Sequence, residues 1–167
     1  MAHARTFEGI ILRTVDIGEA DRFCIVLTRE AGRKAARARA VRKPGSKLGG
    51  LLLPLRHVNL EIVESDTHAL ITSATDRGGV LHDASDYLCF LHLEQGIELL
   101  LALTQDDEPM PDIFDLLLQF MKLGRSGDHN PLPAFQLKLL ALLGLLPATP
   151  EDPRFALLTK GNQSFVH

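Results

Sequence analysis

The chain of 167 residues has no tryptophan, one tyrosine and two cysteines. So few cysteines exclude the disulfide framework of a small secreted domain. Cys24 and Cys89 each lie in an apolar periodic segment and read as reduced core residues. No run of about 18 apolar residues occurs, so a membrane-spanning helix is not expected. The longest apolar run, residues 139–146, is bounded by Lys138 and Pro147. The N-terminus has no apolar signal region; it leads directly into Arg5, Glu8 and Arg13, so a cytoplasmic location is expected. Catalytic signatures are also missing. Ser46-Lys47 lacks the glycine spacing of a phosphate-binding loop. Neither cysteine has a nearby companion, and the seven histidines are scattered, which leaves no metal or cofactor site in view. His82 and His92 stand ten residues apart, and Asp83 and Asp86 between them read as helix-start acids. No nucleophile–base arrangement is visible, so the chain does not read as an enzyme. The acidic run Asp106, Asp107 and Glu108 reads as a solvated loop.

What is present is an uneven charge. Up to His57, twelve Lys and Arg face five Asp and Glu; from Val58 onward, six face sixteen. A basic half followed by an acidic half points to two modules with different partners. Residues 32–47 concentrate the positive charge: Arg33, Lys34, Arg37, Arg39, Arg42, Lys43 and Lys47, with no acid among them. The charges would spread around a helix and leave no apolar stripe. As a strand, Arg33, Arg37 and Arg39 share one face and Ala36, Ala38 and Ala40 the other. The stretch therefore reads as a strand that breaks into a loop at Pro44-Gly45-Ser46.

The neighbouring segments support a small barrel. Residues 7–14 are rich in β-formers. Residues 22–28 alternate, with Phe23, Ile25 and Leu27 on one face and Cys24 and Val26 on the other; Phe7 and Phe23 read as core. Glu30-Ala31-Gly32 is a hairpin signal. Residues 56–64 alternate with Val58, Leu60 and Ile62 facing in and His57, Asn59 and Glu61 facing out. A last strand covers residues 68–75. Five strands in about 75 residues fit a five-stranded barrel of the OB type. After Gly78-Gly79 the period becomes helical. One helix is expected over residues 83–103, capped by Asp83 or Ser85. A second starts at Pro111 and stops at Gly124. A third opens at Pro131 or Pro133, carries Phe135, Leu139, Leu142, Leu143 and Leu146 on one face, and ends at Pro147. The fold class is therefore α+β: an OB-fold barrel over residues 1–79, followed by a small all-helical domain over residues 80–167 with a short tail.

Several blocks resemble the RecO recombination-mediator family. They are Phe7-Glu8-Gly9-Ile10-Ile11-Leu12-Arg13, Gly18-Glu19-Ala20-Asp21-Arg22 and Leu27-Thr28-Arg29-Glu30-Ala31-Gly32-Arg33. Arg42-Lys43-Pro44-Gly45-Ser46-Lys47-Leu48 and Leu53-Pro54-Leu55 follow. The helical part adds Pro111-Asp112-Ile113-Phe114-Asp115-Leu116-Leu117 and Leu139-Leu140-Ala141-Leu142-Leu143-Gly144-Leu145-Leu146-Pro147. The resemblance implies an OB fold with a helical domain that binds single- and double-stranded DNA, anneals complementary strands, binds RecR and assists RecA loading, in the nucleoid-bearing cytoplasm. It also implies a pocket for the acidic C-terminal tail of single-strand-binding protein, for which Lys122, Arg125 and Lys138 are the available helical cations. Members usually continue further, sometimes through a four-cysteine zinc module. Here twenty residues follow Pro147 and none is cysteine, so no zinc site is expected.

A DNA backbone is a line of negative charge, and Arg33, Lys34, Arg37, Arg39, Arg42, Lys43, Lys47 and Arg56 are the candidates to neutralise it. With aromatics scarce, binding is expected to be mainly electrostatic and weakly sequence-specific. The same charges also fit a non-catalytic adaptor whose basic patch meets an acidic protein.

Overall fold

A computed structural model describes residues 3–79, 87–124 and 130–146. Five strands come first: β1 (His3–Ile17), β2 (Asp21–Thr28), β3 (Gly32–Ala38), β4 (Arg56–Glu64) and β5 (Ala69–Gly79). Three helices follow: α1 (Tyr87–Leu103), α2 (Pro111–Gly124) and α3 (Leu132–Leu142). The strand order is β1-β2-β3-β5-β4, and β4 returns to pair with β1, so the sheet closes into a barrel. Among the five strands the pairings are antiparallel except the short parallel contact that sets Arg37 beside Leu70 and Ala38 beside Ile71.

Strands with apolar residues on both faces need cover on both, and each face finds a different one. Phe7, Ile11, Cys24, Val26, Ala36, Val58, Leu60 and Ile62 fill the barrel interior. Ile10, Leu12 and Leu27 belong to a second core, shared with Leu93, Ile97, Phe114, Leu117, Phe120 and Phe135 of the three helices. The helices thus pack directly on the outside of β1 and β2. Burial raises the Cys24 thiol to a pKa of about 11, so it is an inert core group. Gly96 of α1 lets this layer close: a Cβ there would stand 2.4 Å from the Phe120 ring.

Three expectations change. β3 stops at Ala38, so Arg39 and Ala40 leave the strand. The Asp21 carboxylate accepts the Ala40 N–H at 2.8 Å, and Ala40 takes a φ of +55°, which turns the chain out of the sheet. His57 faces out of the barrel as expected but is buried, with its ring against Phe114 of α2. Finally, α3 ends at Leu142. Gly144 at φ +67° closes it, with the Leu145 N–H donating to the Leu140 carbonyl at 2.9 Å, a left-handed helix stop that needs no proline. Leu142 is left exposed. The proposed helix caps Asp83 and Ser85, the stop at Pro147 and the tail lie outside the described residues.

Candidate nucleic-acid interface

The basic stretch divides into two groups with different partners. Arg33 and Lys34, at the start of β3, face the loop between α1 and α2. Arg33 donates to Asp106 at 2.5 Å and to the Leu101 carbonyl at 2.7 Å. The Lys34 ammonium lies 2.6 Å from Asp107 and 2.8 Å from Glu64. Burial lowers the pKa of Lys34, but the two carboxylates outweigh it and hold the value above the usual lysine range. The Asp107 N–H also donates to the Arg33 carbonyl at 3.0 Å. The acidic run is therefore not simply a solvated loop. Asp106 and Asp107 bind the helical layer to the barrel and occupy two of the cations expected to face DNA.

The second group surrounds the β1–β2 turn. Arg37 donates to Asp21 from Nε at 2.8 Å and from Nη2 at 2.5 Å. The Ala40 N–H and then Arg37, aided by Arg39, hold the Asp21 carboxyl below its usual range. The carboxylate thereby fixes the Arg37 guanidinium, which has other donors to spare. Arg42 donates to the Gly18 carbonyl at 3.1 Å and lies 3.5 Å from Asp16. Arg39, Lys43 and Lys47 are exposed and form no ion pair among the described residues. Arg22 anchors the following loop, donating to the Leu52 carbonyl at 3.0 Å and to Asp16 at 2.8 Å. Arg56 opens β4 at the end opposite the β4–β5 turn, so it does not join this group.

A groove of about 450 Å³ lies against Arg37 and Arg39. Ile17, Phe23, Ala35, Arg37, Arg39, His68 and Leu70 line it, with Thr67 and Ala69 completing its wall at the β4–β5 turn. Phe23 is thus outside the barrel core, unlike Phe7, which is fully buried. Sequence reasoning missed Phe23, Asp21 and His68. The one available signal was register: β2 and β3 form a tight hairpin, which sets Phe23 directly opposite Arg37.

The helical cations separate as well. Lys138 borders a shallow apolar groove of about 430 Å³ between α2 and α3, together with Leu116, Gln119, Ala141 and Leu142. Asp112 and Asp115 also border it. Lys122 is exposed on α2 but does not line this groove, and Arg125 lies outside the described residues.

Two family models match, Recombination protein O N terminal over residues 1–77 and Recombination protein O C terminal over residues 84–152. The chain belongs to the RecO family. Relatives agree. The DNA repair protein RecO of Myxococcus xanthus is 32% identical over 161 residues, covering 89% of this chain and 66% of that protein. The DNA repair protein RecO of a Nocardioides species is 33% identical, covering 84% and 60% respectively. That of Anaeromyxobacter (strain K) is 34% identical, covering 83% and 56%. This RecO-family chain thus spans about three fifths of the length of the curated relatives it matches. Among the described residues no helix is long and apolar enough to cross a membrane.

Proposed function

We propose that this chain is a DNA repair and recombination factor that binds single- and double-stranded DNA, anneals complementary strands and assists RecA loading together with RecR. It makes and breaks no bond. The observation that carries the reading is the groove beside Arg37 and Arg39, continued by Arg42, Lys43 and Lys47 on the following loop. These five cations form the DNA-binding set in this reading; Arg33 and Lys34 are engaged by Asp106, Asp107 and Glu64, and Arg56 stands at the far end of β4. Closure of five strands in the order β1-β2-β3-β5-β4 supports an OB-type barrel, a fold that binds nucleic acid on strands 2 and 3 and adjoining loops. Residues 1–79 would form the DNA-binding module and residues 80–167 the helical one. The apolar groove at Lys138 suits the acidic C-terminal tail of single-strand-binding protein. The chain works in the cytoplasm, at the nucleoid.

Strand annealing tests the reading. Mixing complementary oligonucleotides with the protein should accelerate duplex formation, and the double substitution Arg37→Glu, Arg39→Glu should remove the acceleration. Because Arg37→Glu also breaks the pair with Asp21, the exposed pair Arg39→Glu, Lys43→Glu should reduce the acceleration with the melting temperature close to that of the parent. No acceleration by the parent protein at low salt sinks the reading. It would then leave the competing one, an adaptor whose basic patch meets an acidic protein.

A further inference from the structure

The outer face of β2 is apolar from Phe23 to Leu27, yet the helices cover only part of it. Ile25 and Leu27 of β2 are packed beneath the helical layer. Phe23, on the same face of the same strand, is not part of either core cluster. Register places it in a row across four strands. Val15 pairs with Phe23, Phe23 with Arg37, and Arg37 with Leu70. Val15 and Ile17, at the end of β1, are 53% and 38% exposed. An aromatic ring among exposed aliphatic side chains is costly to leave in water. Here it is bordered by guanidinium groups, which repel a plain hydrophobic partner by their demand for counter-charge.

One ligand satisfies both halves of this surface. A nucleobase offers a flat apolar face, and its backbone offers phosphates on either side. The groove's volume of about 450 Å³ falls within the range that holds small organic ligands, roughly 300–1,000 Å³. Ala35, small and exposed on the same side of β3, leaves room above the sheet. Thr67 and His68 supply polar atoms at the groove's edge, 3.2 Å from each other. Asp21 holds Arg37 in place from the strand side, so its remaining donors are preorganised for a phosphate.

We propose that this groove takes an unpaired nucleobase stacked on Phe23, with the adjoining phosphates on Arg37 and Arg39. The proposal rests on the DNA-binding reading above and goes beyond it, because electrostatic contact alone does not distinguish a base from an empty sugar. Bases of a duplex are stacked on one another and cannot enter. The groove therefore selects single strands, and it accepts any base because every base has a π face.

The test compares two probes of about twelve nucleotides, within the span of one such barrel. One is oligothymidylate; the other has the same backbone with abasic sites throughout. The full-length parent should bind oligothymidylate on the order of tenfold or more tightly. Phe23→Ala and Phe23→Leu should bring the two affinities together while retaining salt-sensitive binding to the abasic strand. Phe23→Leu keeps the groove filled without a π face, so a shared result for both variants is a loss of stacking and not of folding. Equal binding of both probes by the parent overturns the stacking proposal and leaves the electrostatic reading standing. A base preference that survives Phe23→Leu also overturns it. No binding of either probe at low salt defeats both.

Discussion

The backbone of Glu108 passes so close to Gly32 that a Cβ at Gly32 would lie 1.9 Å from the Glu108 carbonyl oxygen. Gly32 also has a φ of +72°. This contact brings the acidic loop onto the start of β3, where Arg33 and Lys34 meet Asp106 and Asp107. Gly32→Ala should thus displace the loop as well as strain the turn. A loss of about 2 kcal/mol or more is expected. A urea midpoint equal to that of the parent would refute the docking of this loop.

The two groups of cations should respond differently to substitution. Arg33→Ala and Lys34→Ala should lower the melting temperature, because they leave Asp106, Asp107 and Glu64 without partners, and should change single-strand affinity little. Arg39→Ala and Lys43→Ala should leave the melting temperature unchanged. Each should weaken DNA binding and reduce the log–log salt slope by about 0.7. Melting curves and salt titrations on the four variants decide the matter.

Gly96→Val should destabilise the helical layer. The added side chain meets the Phe120 ring, whose own position is fixed by stacking on Phe135 at a centroid distance of 4.2 Å. Overpacking of this kind costs about 1–3 kcal/mol. Denaturant unfolding measures it.

Stability should fall in acid through Glu8. Burial raises the Glu8 pKa, but the hydrogen bond with His57 and the charges of Arg77 and Arg29 outweigh it, and the net value lies below the usual one. His57 Nε2 is 2.9 Å from the carboxylate, and Arg29 Nε donates to it at 3.1 Å. Arg29 continues to Asp115 of α2, so the network joins barrel and helices. A carboxyl with a depressed folded pKa stabilises above its unfolded pKa, about 4.3. That contribution is lost as pH falls through the folded value. Asp16 and Asp21 are shifted in the same direction. Melting temperature should drop below about pH 4, and Glu8→Gln should make that decline shallower. An identical acid limb in the variant contradicts the assignment.

Much of the fold was legible because periodicity is local. The alternation of Val58, Leu60 and Ile62 and the helical spacing of Ile113, Leu117, Phe120 and Met121 depend on few long-range terms. The limits of β3 and the fate of its charges were not. The strand ends where a carboxylate from β2, Asp21, captures the Ala40 N–H. Arg33 and Lys34 are claimed by acids more than seventy residues away in sequence. Phe23 reads as core from the sequence because its strand is apolar on both faces; only the placement of the helices reveals that Ile25 is covered and Phe23 is not.

The central claim is that Arg37 and Arg39 present a phosphate-binding face. Its most direct measurement is the affinity of a single-stranded oligonucleotide as a function of salt, for the parent and for the Arg37→Glu, Arg39→Glu variant. Steep salt dependence is expected for the parent, about 0.7 in log–log slope for each phosphate neutralised, with binding lost in the variant. Arg39→Glu alone, which leaves the Arg37–Asp21 pair intact, should weaken binding at unchanged melting temperature. Equal affinity and equal slope for the parent and the double variant would contradict the claim.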